Sequence, residues 1–140
     1  MKFLETSFDD YITSSNTKEK QIHKYPNEDI IREKMYDNSL IICGPKGSGK
    51  YTYALRLIKP MSEQGLKYEK KFTVLSQKKT EHVYRMSDVH FEVDMELLGC
   101  NARILWNDIF NSIMDISSLA NKNNIYILCS NFHNIDGELL

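Results

Sequence analysis

A parallel α/β sheet sandwiched by helices, of P-loop type, is the fold class that this sequence predicts, and three observations carry the prediction. Two continuous apolar runs, Leu40-Ile41-Ile42-Cys43 and Ile125-Tyr126-Ile127-Leu128-Cys129, read as strands; the second suits a strand covered on both faces. The first leads into a glycine-rich turn, Gly44-Pro45-Lys46-Gly47-Ser48-Gly49-Lys50-Tyr51-Thr52, and then a helical stretch over residues 53–58. Helical and extended patterns follow one another along the chain, the order that right-handed crossovers convert into parallel pairing.

Taken in order, residues 1–24 read as a polar, irregular lead-in, with Ser14-Ser15-Asn16-Thr17 and Lys18-Glu19-Lys20 as loop. Asn27 is placed to cap a helix that begins with Glu28 and Asp29 and carries Ile30, Ile31, Lys34 and Met35. Asp37-Asn38-Ser39 ends it, and Pro60 ends the helix after the glycine-rich turn. Phe72-Thr73-Val74-Leu75 and His82-Val83-Tyr84-Arg85-Met86 read as strands, with Gln77-Lys78-Lys79-Thr80 as a turn between them. Val89, Phe91, Val93 and Met95 alternate with His90, Glu92, Asp94 and Glu96, a strand with one buried and one polar face. Gly99 breaks that strand. Asn101 opens a long helix with Leu105, Ile109, Ile113, Ile116 and Leu119 on one stripe. The organisation expected is a lead-in over residues 1–37 and a nucleotide-binding core over 38–140.

Composition sets the bounds. With 41% hydrophobic and 26% charged residues in 140, the chain belongs with globular proteins. A net charge of −1 excludes a global basic field, so any nucleic-acid contact has to be local or shared with partners. No apolar run approaches the roughly 20 residues of a membrane span. Cys43, Cys100 and Cys129 lie far apart and show no metal-ligand spacing with His23, His82, His90 or His133, so reduced thiols in an intracellular protein are expected, two of them in buried strands. His90, Glu92, Asp94 and Glu96 are expected on a solvated or hydrogen-bonded strand face, and Trp106 in a core or interface. Lys67, Lys70, Lys71, Lys78 and Lys79 gather around the hairpin as a solvated surface able to touch phosphates.

The glycine-rich turn carries the chemistry. Its spacing fits G-x-x-x-x-G-K, with Gly44, Gly49 and Lys50 in register. Loop N–H groups and a helix N-terminus cradle phosphates, Gly47 and Gly49 admit close approach, and Lys50 supplies the point charge. Where a short hydroxyl would hold Mg²⁺ stands Tyr51, whose phenolic oxygen lies too far from the backbone; Thr52, one residue on, points elsewhere around the helix. Phosphoryl transfer also calls for carboxylates after an apolar strand, and the run 125–129 is followed by Ser130 and Asn131; Asp136 and Glu138 come too late. ATP or ADP binding is therefore expected without a well-held Mg²⁺ and without efficient hydrolysis.

With these blocks in place, the chain resembles small subunits of the AAA+ clamp loader replication factor C, and more narrowly the clamp-loader-related proteins of large DNA viruses. The resemblance rests on the loop Gly44–Thr52, on Ser87-Asp88-Val89-His90-Phe91-Glu92-Val93 with the following helix over 101–120, and on residues 127–140, with Ser130 and Asn131 where that family has its acidic pair. It implies a nucleotide-binding, hydrolysis-deficient subunit acting in DNA replication beside other clamp-loader subunits, a sliding clamp and primer–template DNA, at an intracellular site such as a nucleus or a viral replication site. The blocks end before that family's sensor strand, arginine finger, lid and collar, which makes a fragment of such a domain the expectation. Two other readings stand beside it: an active small P-loop ATPase or nucleotide kinase, and a scaffold that no longer binds nucleotide.

Overall fold

The computed structural model describes residues 7–18, 26–122 and 124–135, and the chain divides into two compact units, Met1–Glu69 and Lys70–Leu140.

The first unit is helical. Helix α1 (Phe8–Lys18) occupies part of the segment expected as loop. Its start is a reciprocal cap: the Ser7 N–H donates to Asp10 Oδ2 at 2.7 Å and the Asp10 N–H donates to Ser7 Oγ at 3.4 Å. The Ser7 N–H is thereby satisfied, the Asp10 N–H, which also donates to Ser7 O at 3.1 Å, gains a second acceptor, and Asp9 and Asp10 oppose the positive end of the helix dipole. Replacing Asp10 by Ala is expected to cost about 1 kcal/mol and to lower the thermal midpoint by about 3 °C, read by circular dichroism; an unchanged midpoint would show that the cap contributes nothing. Helix α2 (Glu28–Met35) starts as its sequence anticipates, with Asn27 Oδ1 accepting from the Asp29 N–H at 3.0 Å. Helix α3 (Lys50–Ile58) runs into a 3-10 turn at Lys59–Met61 that contains Pro60.

Both α1 and α2 pack against α3. Arg32 of α2 donates through Nε to the Leu57 carbonyl at 3.1 Å, placing a cation at the negative end of α3, and its Nη1 pairs with Asp29 at 2.8 Å. Lys59 pairs with Asp9 of α1 at 2.5 Å. Phe8, Leu55 and Leu57 are wholly buried.

The described residues of the second unit form a sheet, a long α-helix and short 3-10 turns. Strands β1 (Lys70–Leu75), β2 (Glu81–Met86), β3 (His90–Asp94) and β4 (Tyr126–Ser130) lie in the order β1-β2-β3-β4. The pairs β1–β2 and β2–β3 are antiparallel, and β3–β4 is parallel. Helix α4 (Ala102–Leu119) forms the crossover and packs Leu105, Ile109 and Ile113 into a core with Phe72, Val74, Phe91 and Val93.

This arrangement overturns the expected fold class: the sheet is mixed and mostly antiparallel, not a parallel P-loop sheet sandwiched by helices. Connection length decides the pairing. The turn Ser76–Thr80 is closed by Lys79 N–H to Ser76 O at 2.8 Å and Ser76 N–H to Thr80 O at 3.0 Å, and the link from β2 to β3 by Ser87 N–H to His90 O at 2.8 Å. Links so short permit only antiparallel neighbours, whereas parallel pairing takes a crossover of about a dozen residues or more. The stretch after β3 that contains α4 is long enough.

Other expectations change with it. Residues 40–43 form no strand and join no described sheet; Leu40 and Ile41 are exposed, at 42% and 79%. β4 is half-buried rather than enclosed on both faces. All three thiols are free, but Cys43 and Cys100 are exposed and Cys129 is half-buried, with burial pushing its thiol pKa up. His23, the turn residue Asn123, and Asp136 and Glu138 lie outside the described residues.

Candidate functional site

Loop 44–49 and the first turn of α3 form the site. Ser48 N–H closes a turn onto Pro45 O at 3.3 Å. Gly47 and Gly49 then take φ of +77° and +81°, the left-handed region where a side chain is strained, and Gly49 is the residue from which α3 departs. The first bond of that helix runs from Tyr53 N–H to Gly49 O at 2.9 Å. The N–H groups of the first turn have no carbonyl behind them within a helix, so the turn carries donors and partial positive charge. At Gly44 a Cβ would lie 3.0 Å from Ser48 Oγ, a tight contact that the serine side chain would have to ease.

The lysine is folded onto this loop. Lys50 Nζ donates to Gly44 O at 2.7 Å and to Pro45 O at 2.6 Å, which holds the ammonium at the loop opening. Residues 44–47 are exposed and 48–52 half-exposed, so the loop is accessible. The nine residues singled out in the sequence thus stand together as one element. Their donors and charge suit an anion.

They do not fit a magnesium ion. The Tyr51 ring meets the Tyr11 ring of α1 edge to face, with centroids 5.4 Å apart, so the position that would offer a short hydroxyl is given to an aromatic contact. Among the described residues no group of three or more His, Cys, Asp or Glu side chains could hold a metal ion. A cleft of about 630 Å³ in the same unit is lined by Arg32, Arg56 and Lys59 with Glu28, Ile12 and Pro60. Arg32 and Lys59 are already paired with Asp29 and Asp9 there, so the cleft is a poor anion trap.

In the second unit, Ser130 ends β4 directly opposite Asp94 of β3, and Asn131 follows with φ of +52°. Asn131 Nδ2 donates to Asp94 Oδ1 at 3.0 Å, the same oxygen that accepts the Glu96 N–H at 3.1 Å. Sequence reasoning placed Asp94 on an ordinary solvated face; its register beside Ser130 follows from the parallel pairing, which no local pattern reports.

His90 is the residue whose surroundings were furthest from view. It is wholly buried, as is Ser87. Ser87 Oγ accepts from the Val89 N–H at 3.2 Å and the His90 N–H at 3.1 Å, and lies 2.5 Å from His90 Nδ1. With both lone pairs engaged, the hydroxyl proton points at Nδ1, and the ring proton falls on Nε2, 3.2 Å from Glu92 Oε1. Glu92 Oε2 faces Arg85 Nη1 at 3.6 Å across the β2–β3 pair. Serine, histidine and carboxylate in a row have the composition of a nucleophilic triad. The oxygen is saturated by backbone donors and sealed from solvent, however, so the trio serves the β2–β3 link and no reaction.

No helix among the described residues is long and apolar enough to cross a membrane. No protein-family model matches the chain, and a search of curated proteins found no matching relative.

Proposed function

We propose that the chain binds ATP or ADP through the phosphates and hydrolyses it poorly. The observation that supports this best is the loop 44–50: two left-handed glycines, a helix starting at its end, and a lysine ammonium held at its opening. Lys46, Gly47 and Gly49 supply backbone donors to the cradle, Gly44, Pro45 and Ser48 shape the turn that carries them, Lys50 supplies the charge, and Tyr51 and Thr52 the following N–H donors. Tyr51 is committed to Tyr11, and Asp94 to Glu96 and Asn131, which leaves neither side chain arranged to hold magnesium.

The resemblance stated for the sequence extends the proposal to a role in DNA replication, as a subunit of a sliding-clamp loader beside other subunits, the clamp and primer–template DNA. With the parallel sheet gone, that role rests on the loop and on the order of the sequence blocks. Titration with a fluorescent ADP tests the binding. Saturation in the micromolar range supports it, and no saturable binding at high micromolar ligand leaves the scaffold reading in its place. ATP turnover well above that of a Lys50→Ala protein would favour the active small P-loop enzyme instead.

A further inference from the structure

The sheet unit is electrically lopsided. Its first hairpin, β1 and β2, holds Lys70, Lys71, Lys78, Lys79 and Arg85 against Glu81 alone. Residues 87–140 hold only Arg103 and Lys122 against eight carboxylates, from Asp88 to Glu138. Of the seven Lys and Arg in residues 70–140, five therefore lie on one ribbon. All four hairpin lysines are exposed. They form two groups, Lys70–Lys71 at the open end and Lys78–Lys79 in the turn, separated by about 17 Å of strand.

Two features set this ribbon apart from an ordinary solvated surface. Lys79 occupies the left-handed conformation at φ of +59°, where glycine or asparagine would sit without strain, so a cation stands at the tip at the expense of turn stability. At the other end, Lys70 lies within electrostatic range of Lys122, in the turn after α4. Burial lowers the Lys122 pKa, nearby Asp88 raises it, and repulsion from Lys70 lowers it further. An anion beside these two ammonium groups would relieve their repulsion.

We infer that the β1–β2 hairpin binds the phosphate backbone of nucleic acid through Lys70, Lys71, Lys78 and Lys79. The two lysine groups span about five base steps at 3.4 Å each along one strand. Phe72 is buried and pairs with the half-buried Tyr84 at a centroid distance of 5.5 Å, and Tyr84 also stacks on His82, so the rings of the hairpin are engaged with one another. Contacts are to phosphates, and binding is insensitive to sequence and steep in salt. The inference stands on charge and turn geometry and is independent of nucleotide binding at the loop.

The test is fluorescence anisotropy of a labelled primer–template DNA with the intact chain, at salt from about 50 to 200 mM. Wild type should bind with a log–log salt slope of about −3 to −4, for four phosphates neutralised. The double variant Lys78→Glu/Lys79→Glu should bind at least about tenfold more weakly at the lowest salt, with a slope shallower by about two. Lys78→Gln/Lys79→Gln removes the charges without reversing them and should reproduce the shallower slope, and thermal unfolding checks that both variants fold. Titrating the same proteins with ADP keeps the two readings apart, since the hairpin variants should bind ADP as wild type does. No DNA binding by wild type at the lowest salt, unchanged binding by both variants, or equally tight binding of polyglutamate would overturn the inference, the last pointing to an acidic protein partner.

Discussion

Lys50→Ala should weaken ADP binding about thirtyfold while leaving the thermal midpoint of the nucleotide-free protein within about 2 °C of wild type. A hydrogen bond to a charged group contributes about 1.5–3 kcal/mol. Lys50 begins in bonds to Gly44 O and Pro45 O, and turning toward a phosphate gives these up, which offsets part of the gain. A net loss of about 2 kcal/mol corresponds to about thirtyfold in dissociation constant. The two bonds are exposed, so their removal leaves no buried carbonyl stranded and folding should not suffer. Lys50→Arg separates charge from shape, since a guanidinium keeps the charge but not the compact head. Equal ADP affinity for wild type and Lys50→Ala, measured by fluorescence titration, would remove the loop from the binding account altogether.

Ser87→Ala should be the most destabilising small change in the sheet unit, by about 3 kcal/mol, because an unsatisfied buried group costs about 1–3 kcal/mol and this substitution strands more than one. The N–H groups of Val89 and His90 lose their acceptor, and His90 Nδ1 loses its donor, at a position closed to water. The thermal midpoint should fall by about 10 °C. Ser112→Ala is the control: its hydroxyl donates to the Asp108 carbonyl on α4 at 2.9 Å, a carbonyl that helix geometry already engages, and its loss should move the midpoint by no more than about 2 °C. A fall for Ser87→Ala no larger than that of Ser112→Ala would show that the buried trio does not hold the β2–β3 link.

Local pattern made much of the chain legible. Asn27 capped the helix it was expected to cap, Pro60 falls where α3 ends, and the alternation from Val89 to Met95 marked β3 to within a residue or two. The lead-in held a readable signal as well: Ser7 and Asp10 have the spacing of a reciprocal cap, masked by the polar residues after them. Pairing was not legible in the same way. The run 40–43 and the run 125–129 look alike as sequence, yet only the second enters the sheet, because an apolar run says that a segment can pair and not with what. The glycine-rich loop was visible because its pattern lies in consecutive residues. The meeting of Asp94 with Asn131 and the burial of His90 arise from partners that periodicity does not encode.

The parallel β3–β4 pairing has a kinetic consequence. β1, β2 and β3 meet across links a few residues long, so their search for one another is short. β4 meets β3 only after the chain from Met95 to Ile125, including all of α4, has been drawn into place, and closing that loop must be paid for in entropy before any β3–β4 bond repays it. Folding of this unit should therefore begin as a three-stranded meander and finish with β4, which makes β4 the last strand gained and the first to open.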